Sequence, residues 1–177
     1  MKTKRLVIDA MLVAMYVVLS NFVAINLGGI RITIDLLPIA VGAMLYGPVD
    51  GLIIGFLGNF LFQLLGPYGI SVTTALWALP DAVRGLLIGL FAAKFPQPDI
   101  KRLMIALAVV SLISTTVTTG VMYVDCLIFK YSFVTYSPYI LVRYVSGVII
   151  AVVLALVLVP LMKELRKLAK MEPKPCA

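Results

Sequence analysis

Long apolar runs broken by short polar turns account for almost the whole chain. They predict an all-α integral membrane protein with six transmembrane helices, at residues of about 5–26, 33–46, 49–66, 75–94, 101–124 and 137–163. A helix needs about 20 apolar residues to cross the hydrocarbon core, and a shorter one is accommodated inside a bundle. The second run is short and contains Pro38, which predicts a tilted, kinked or partly shielded helix.

Positive charge predicts how these spans are oriented. Lysine and arginine concentrate at both termini and around the fourth loop, on the side of the membrane that also holds the second loop, whereas the loops on the opposite side hold Arg31 and Lys130. Because short loops rich in Lys and Arg stay in the cytoplasm, both termini are expected there. Residues 1–170 are then a single six-helix membrane domain, and 171–177 are a cytoplasmic tail.

Composition agrees with a membrane protein. Of the 177 residues, 62% are hydrophobic and 13% are charged, and the mean hydropathy is +1.10. Soluble domains keep roughly a quarter of their residues charged.

The basic, apolar start looks like a signal peptide, but Asp9 interrupts it and no clear small-x-small cleavage site follows, so we interpret it as a retained first helix. The net charge is +7, and the basic residues cluster in short segments beside the spans. This placement argues that they set the topology and argues against a nucleic-acid-binding protein.

Several kinds of chemistry are missing from the chain. It contains no histidine, and Cys126 and Cys176 fall near opposite membrane faces, so neither a metal site nor a disulfide is expected. It has no Gly-rich phosphate loop and no Ser-His or Cys-His pair. We therefore expect no catalytic residues and no cofactor, and any ATP would be used by partner subunits.

Polar side chains inside the spans gather at one predicted depth. Trp77, Asp81 and Arg84 follow one another at spacings of four and three, which places them along one side of a helix. A charge inside a span costs roughly 3 kcal/mol or more and is a functional hypothesis by default. Together these residues predict a cavity that opens outward. The candidate substrate-binding residues are Asn59, Gln63, Trp77, Asp81, Arg84, Thr115, Tyr123 and Arg143.

Each of these residues also has a structural interpretation. Asp81 and Arg84 can neutralise each other, asparagine and glutamine join membrane helices, and threonine bonds its own helix backbone. For each residue alone, the structural and the functional interpretation are about equally supported. The common depth of the residues favours a binding site. Arg84 and Arg143 could bind a carboxylate, Asn59 could donate and accept, and Trp77 could stack on a flat ring.

A small-residue pattern marks the first helix. Ala10 and Ala14 are four residues apart, a spacing that lets another helix approach closely. Such a pattern is common in membrane helices, so it is a weak signal in isolation.

These features resemble a known family. The six short spans, the Ala10-x-x-x-Ala14 pattern and the segment "LPIAVGAMLYGP" are similar to the substrate-binding (S) component of energy-coupling factor (ECF) vitamin transporters, with the folate-type branch most similar. The resemblance implies a vitamin pocket capped by the first and third outer loops. It also implies that Ala10 and Ala14 dock on a transmembrane coupling subunit, which carries two cytoplasmic ATPases in a bacterial plasma membrane.

Alternatives stay open at this stage. The folate-type branch often has a basic residue where this chain has Asn21, so pantothenate or another vitamin is an alternative to folate. An intramembrane enzyme that uses Asp81 and Asp125 as an acid/base pair is a hypothesis of a different class. A small channel or independent carrier is disfavoured by the short chain and the lack of an evident repeat.

Overall fold

The computed structural model describes residues 2–27, 30–66, 71–95, 99–130 and 137–171. Six helices and one two-stranded hairpin occupy these ranges. In chain order they are α1 (Lys2–Phe22), β1 (Ile25–Leu27), β2 (Ile30–Ile32), α2 (Leu36–Tyr46), α3 (Pro48–Leu65), α4 (Thr74–Lys94), α5 (Ile100–Phe129) and α6 (Ser137–Met171).

The helices confirm the predicted all-α membrane fold. Within the described ranges, α1, α3, α4, α5 and α6 are long and apolar enough to cross a membrane, whereas α2 has 11 residues and is a shorter apolar helix. Ile39, Ala40 and Ala43 of α2 are completely buried. Because its neighbours surround α2, this helix does not need the length of a lipid-exposed span.

Helix boundaries differ from the prediction in four of the six helices. The first helix runs from Lys2 to Phe22 and the second begins at Leu36, and between them β1 pairs antiparallel with β2, with Ile25 opposite Ile32. The fifth and sixth helices continue to Phe129 and Met171, beyond the apolar runs used to place them, because a helix can extend past the hydrocarbon. Most of the predicted tail, residues 172–177, lies outside the described residues.

Glycines bring α3 and α4 into backbone contact. A Cβ built on Gly55 would collide with the backbone carbonyl of Asp81, and one on Gly85 would collide with the carbonyl of Gly51. These pairings, together with the contact between Gln63 and Thr74, show that the two helices run antiparallel. Helices α1 and α3 run parallel, because Arg5 pairs with Asp50 and Tyr16 lies against Gly58. The hairpin after α1 and the α3–α4 connection therefore share one end of the bundle, which we call the hairpin end.

Apolar packing fills the opposite half of the bundle. The larger core cluster joins α2, α4, α5 and α6 through side chains such as Ile88, Leu103, Leu107 and Leu158, and a smaller cluster joins α1, α2 and α3. Burial of a large aliphatic side chain is worth about 1.5–3 kcal/mol, so this half is a well-packed base for the hairpin end.

The close glycine contact predicts a stability difference. Gly85→Ala should lower the free energy of unfolding by about 1–3 kcal/mol, because the new methyl group has no room beside the Gly51 carbonyl. The thermal unfolding midpoint in detergent should fall accordingly. Gly120→Ala is the matched control, since nothing lies within 4 Å of a Cβ at Gly120. Equal midpoints for the two variants, measured by fluorescence-detected size exclusion after heating, would contradict the proposed packing.

Candidate functional site

A cavity of about 230 Å³ lies in the half of the bundle nearest the hairpin. Its wall comes from all six helices, with α2 contributing its first residue, and from the segment between β2 and α2. The lining residues are Tyr16, Ser20, Thr33, Asp35, Leu36, Asn59, Phe62, Trp77, Pro80, Asp81, Arg84, Ser111, Thr115, Thr118, Arg143, Ser146, Gly147 and Ile150.

Asp81 is the centre of a buried polar network. Its Oδ2 accepts hydrogen bonds from the Tyr16 hydroxyl at 2.7 Å and from Asn59 Nδ2 at 2.6 Å, and its Oδ1 lies 3.0 Å from NH1 of Arg84. The whole residue is only 6% exposed. A carboxylate in such a place costs several kcal/mol unless it is paired and hydrogen-bonded, and here three helices supply its partners.

Local packing explains why Tyr16 and Asn59 reach Asp81. The Tyr16 ring lies against Gly58, where a Cβ would come within 2.7 Å of the ring. Gln63 stands behind Asn59: its Nε2 donates to Asn59 Oδ1 at 2.7 Å and to the Thr74 carbonyl at 3.3 Å. Because the Asn59 oxygen is occupied by Gln63, the amide nitrogen faces Asp81.

Arg84 keeps donor capacity inside the cavity wall. NH1 pairs with Asp81, whereas Nε is buried and has no hydrogen-bond partner among the described residues. A second carboxylate, Asp35, has its Oδ1 4.0 Å from NH1 and accepts a 2.6 Å bond from Thr33 through Oδ2. Burial, and then the charge of Asp81, raise the pKa of Asp35 above its ordinary value.

The rest of the wall is formed by α4, α5 and α6. Trp77 and Pro80 come from α4, and Ser114 of α5 donates to the Pro80 carbonyl at 3.1 Å. Thr115 lines the cavity while its hydroxyl donates to the Ser111 carbonyl of its own helix at 2.9 Å. The wall therefore combines an aromatic ring, hydroxyl groups and, from α6, the Arg143 side chain.

The structure brings most of the predicted site residues together. Asn59, Trp77, Asp81, Arg84, Thr115 and Arg143 all line the cavity. Gln63 lies directly behind the wall, buried to 8% exposure, whereas Tyr123 is 52% exposed and does not line the cavity. The described residues contain no group of three His, Cys, Asp or Glu side chains able to hold a metal ion.

Sequence reasoning missed Tyr16 and Asp35. Tyr16 is 1% exposed, and its position within an apolar helix gives no sign of a polar role. Asp35 directly precedes the apolar α2, and an acidic residue next to a span was a usable signal. Asp125, half-buried at the far end of α5, accepts a 2.5 Å bond from Thr73 and does not line the cavity.

The predicted docking residues lie on the outside of α1. Ala10 and Ala14 are exposed, together with Leu6 and Val18 one turn beyond them on either side. Tyr16 and Val13 are buried against the bundle. Thus α1 presents one face to the interior and a smooth apolar stripe to its surroundings.

A bundle of membrane-length helices with a polar cavity at one end is the arrangement expected of a membrane protein that binds a small molecule. The profile of the family described as ECF-type riboflavin transporter, S component, matches residues 1–167. The chain belongs to this family of ECF transporter S components. Since the family consists of transporter components and not of enzymes, the acid/base hypothesis for Asp81 and Asp125 is set aside.

Solved structures share the fold. A crystal structure of FolT bound with folic acid has a TM-score of 0.68 at 21% identity, covering 86% of this chain and 89% of that one. An S component of a bacterial ECF transporter has a TM-score of 0.67 at 22% identity, covering 93% and 99%. At these identities the similarity concerns the fold alone.

Curated relatives match over part of their length. A UPF0397 protein of Lactobacillus johnsonii is 37% identical over 83 residues, which is 46% of this chain and 43% of that protein. A UPF0397 protein of Aliivibrio fischeri is 36% identical over 53 residues, 30% of this chain and 27% of that protein. The matched segments thus span less than half of these relatives.

The shared carboxylate predicts energetic coupling between α3 and α4. Asp81→Ala should lower the free energy of unfolding by about 3–5 kcal/mol, because Arg84 is left buried without its partner. Asn59→Ala alone should cost about 1–3 kcal/mol. Because both variants break the same bond, the double variant should cost less than the sum, by about 0.5–3 kcal/mol.

A double-mutant cycle in detergent with increasing denaturant measures this coupling. Thr116→Val is the control partner for Asp81→Ala, since Thr116 is exposed on α5, bonds Tyr144 and does not line the cavity. The Asp81–Thr116 pair should be additive. If the costs of the Asp81 and Asn59 variants add up in the same way, the network is refuted.

Proposed function

We propose that this chain binds a water-soluble vitamin from outside the cell and delivers it across the membrane as the S component of an ECF importer, with folate as the first candidate. The observation that carries the proposal is the cavity built around Asp81 and Arg84. Its polar groups are held in place by Tyr16, Asn59 and Gln63, so the site is preformed before a ligand arrives.

The lining suits a flat heterocycle that carries an acidic or carbonyl group. Trp77 and Phe62 offer aromatic faces for a ring. Arg84 and Arg143 offer guanidinium groups to carboxylate or carbonyl oxygens. A cavity of about 230 Å³ lies just below the usual range for small-molecule sites, which favours enclosure of the ring, with any longer tail directed toward the opening.

Riboflavin is the second candidate, because the matching family is described as a riboflavin transporter component. Folate and riboflavin both contain a pteridine ring system, so the aromatic part of the site serves either. Folate is favoured by the folate-type segment of the chain and by the guanidinium groups, which suit its carboxylates. Pantothenate is a smaller carboxylate without a ring and leaves Trp77 unused.

The proposed topology places the hairpin end outside. Both termini and the fourth loop, which carry most of the lysines and arginines, are then cytoplasmic together with the second loop, in a bacterial plasma membrane. The transport partners are a transmembrane coupling subunit and two cytoplasmic ATPases, which supply the ATP hydrolysis for which this chain has no motif. The exposed stripe of α1 with Ala10 and Ala14 is the proposed docking face, since small residues allow close helix contact.

The first test is direct binding. Purified protein should bind folate in the nanomolar to micromolar range, and Arg84→Ala should weaken binding about 10- to 100-fold through the loss of charge-assisted hydrogen bonds. Trp77 is the one tryptophan of the chain and lines the cavity, so quenching of its fluorescence, checked by calorimetry, reports occupancy.

Riboflavin, pantothenate and the other vitamins form the comparison panel, and Arg102→Ala is the matched control because Arg102 is exposed and remote from the cavity lining. Failure to bind any vitamin would refute the proposed function. Equal losses in the two arginine variants would refute the role of Arg84.

The second test separates binding from uptake. Ala10→Trp should leave vitamin affinity within about threefold but abolish ATP-dependent uptake by the assembled transporter, because a large side chain blocks close helix approach. Ile105→Trp on α5, which is 65% exposed, is the control and should transport normally. Normal uptake by the Ala10 variant would show that docking takes place elsewhere.

A further inference from the structure

Asp35 differs from Asp81 in how well its oxygens are satisfied. Asp81 accepts from Tyr16 and Asn59 and is in hydrogen-bonding contact with Arg84 at 3.0 Å. Asp35 accepts from the Thr33 hydroxyl at 2.6 Å, while the nearest guanidinium nitrogen is 4.0 Å away, beyond hydrogen-bonding range. Two carboxylates thus share the cavity, and one of them retains accepting capacity.

The position of Asp35 is fixed by the fold. It directly precedes α2, and Leu36 beside it is 5% exposed, while the Asp35 side chain is 16% exposed and lines the cavity. No side-chain bond caps the helix from this residue, although the Leu36 backbone N–H lies close enough to the carboxylate to lower its pKa. The carboxylate therefore lies at the cavity wall, beside the first turn of α2.

A carboxylate that is buried and incompletely paired is costly in the empty protein. Burial raises the pKa of Asp35, and the charge of Asp81 raises it further. The charge of Arg84 and the hydrogen bonds from Thr33 and the Leu36 backbone offset only part of this rise, so the anion still lacks donors. A ligand that brings two N–H groups to its oxygens would offset that cost on binding. A ligand that brings carbonyl oxygens would add to it.

We propose that Asp35 selects the ring of the vitamin by accepting hydrogen bonds from two adjacent N–H donors, as in a 2-amino-4-oxopteridine. The 2-amino group and N3–H of such a ring lie side by side and match the two oxygens of one carboxylate. A 2,4-dioxopteridine, the ring type of riboflavin, presents N3–H between two carbonyl oxygens, and at least one of them would face the carboxylate. Asp35 therefore favours a folate-type ring over a flavin-type ring.

This inference rests on the proposed vitamin-binding function and refines it. It assigns the ring edge to Asp35 and leaves the guanidinium groups of Arg84 and Arg143 to oxygen atoms elsewhere on the ligand. A site built to pair with particular donors rejects analogues that lack them more strongly than an apolar pocket rejects a change of size.

The experiment compares two probes that differ only at position 2 of the ring. Pterin-6-carboxylic acid has the 2-amino group, and lumazine-6-carboxylic acid has a carbonyl oxygen there. The unaltered protein should bind the pterin at least about 10-fold more tightly, because charge-assisted hydrogen bonds are replaced by repulsion. Folic acid and riboflavin, measured in the same calorimetric series, show whether the vitamin site itself works.

Asp35→Asn keeps the size of the side chain and its acceptor for Thr33. It should weaken pterin-6-carboxylic acid and folic acid about 10- to 100-fold and leave lumazine-6-carboxylic acid within about threefold, since the new amide can donate to a carbonyl. Asp50→Asn is the matched control: Asp50 is also a buried carboxylate, is paired with Arg5 and does not line the cavity. It should bind both probes as the unaltered protein does.

The outcomes separate this inference from the proposed function. If the protein binds folic acid or riboflavin but does not distinguish pterin from lumazine, the role of Asp35 is wrong and the vitamin site stands. That comparison needs no variant, so it holds even if Asp35→Asn fails to fold. Equal weakening of both probes in Asp35→Asn would also overturn the inference. Binding of no vitamin and no probe would overturn both.

Discussion

An ionised carboxylate inside a membrane bundle must be surrounded by donors, and the partners of Asp81 dictate the geometry of this protein near its cavity. Tyr16 from α1 and Asn59 from α3 donate to it, and Arg84 pairs with it from its own helix. Asn59 can reach because Gly55, one turn earlier, lets the backbones of α3 and α4 touch at Asp81 itself. Glycine packing and polar pairing are thus two parts of one arrangement, since the close approach brings the Asn59 donor to a carboxylate that would be costly without partners.

The two halves of the bundle differ in composition and in role. The hairpin end holds polar groups and a cavity, whereas the other half is a packed apolar core. Helix α1 belongs to both the site and the surface: Tyr16 is buried at the cavity, while Ala10 and Ala14 are exposed. On the proposed function, one helix therefore carries both a residue of the binding site and the face that meets the coupling subunit, and the cavity residues stay clear of the docking contact.

Sequence patterns predicted the helices and much of the cavity wall because burial and charge leave a local signature. Asp81 and Arg84 stand out in an apolar run, and their spacing on a helix predicts that they pair. The hairpin was missed because short strands inside a polar loop carry little periodicity, although the Gly28-Gly29 pair between isoleucine-rich segments is typical of a two-residue turn. The bond from Tyr16 to Asp81 and the position of Gln63 behind Asn59 depend on contacts between helices. The spacing of residues within one helix does not reveal such contacts. Tyr123 lies outside the cavity lining because its position on α5 faces away from it.

Native mass spectrometry of the protein released from its own membrane tests the central claim most directly, because it identifies what the cavity holds without a choice of probe. We expect one small molecule per chain, with a pteridine ring by fragmentation, and its loss from the Arg84→Ala variant. A bound molecule without a pteridine ring would contradict the proposed class of substrate. A pteridine compound that remains at full occupancy in Arg84→Ala would contradict the assignment of this cavity as the vitamin site.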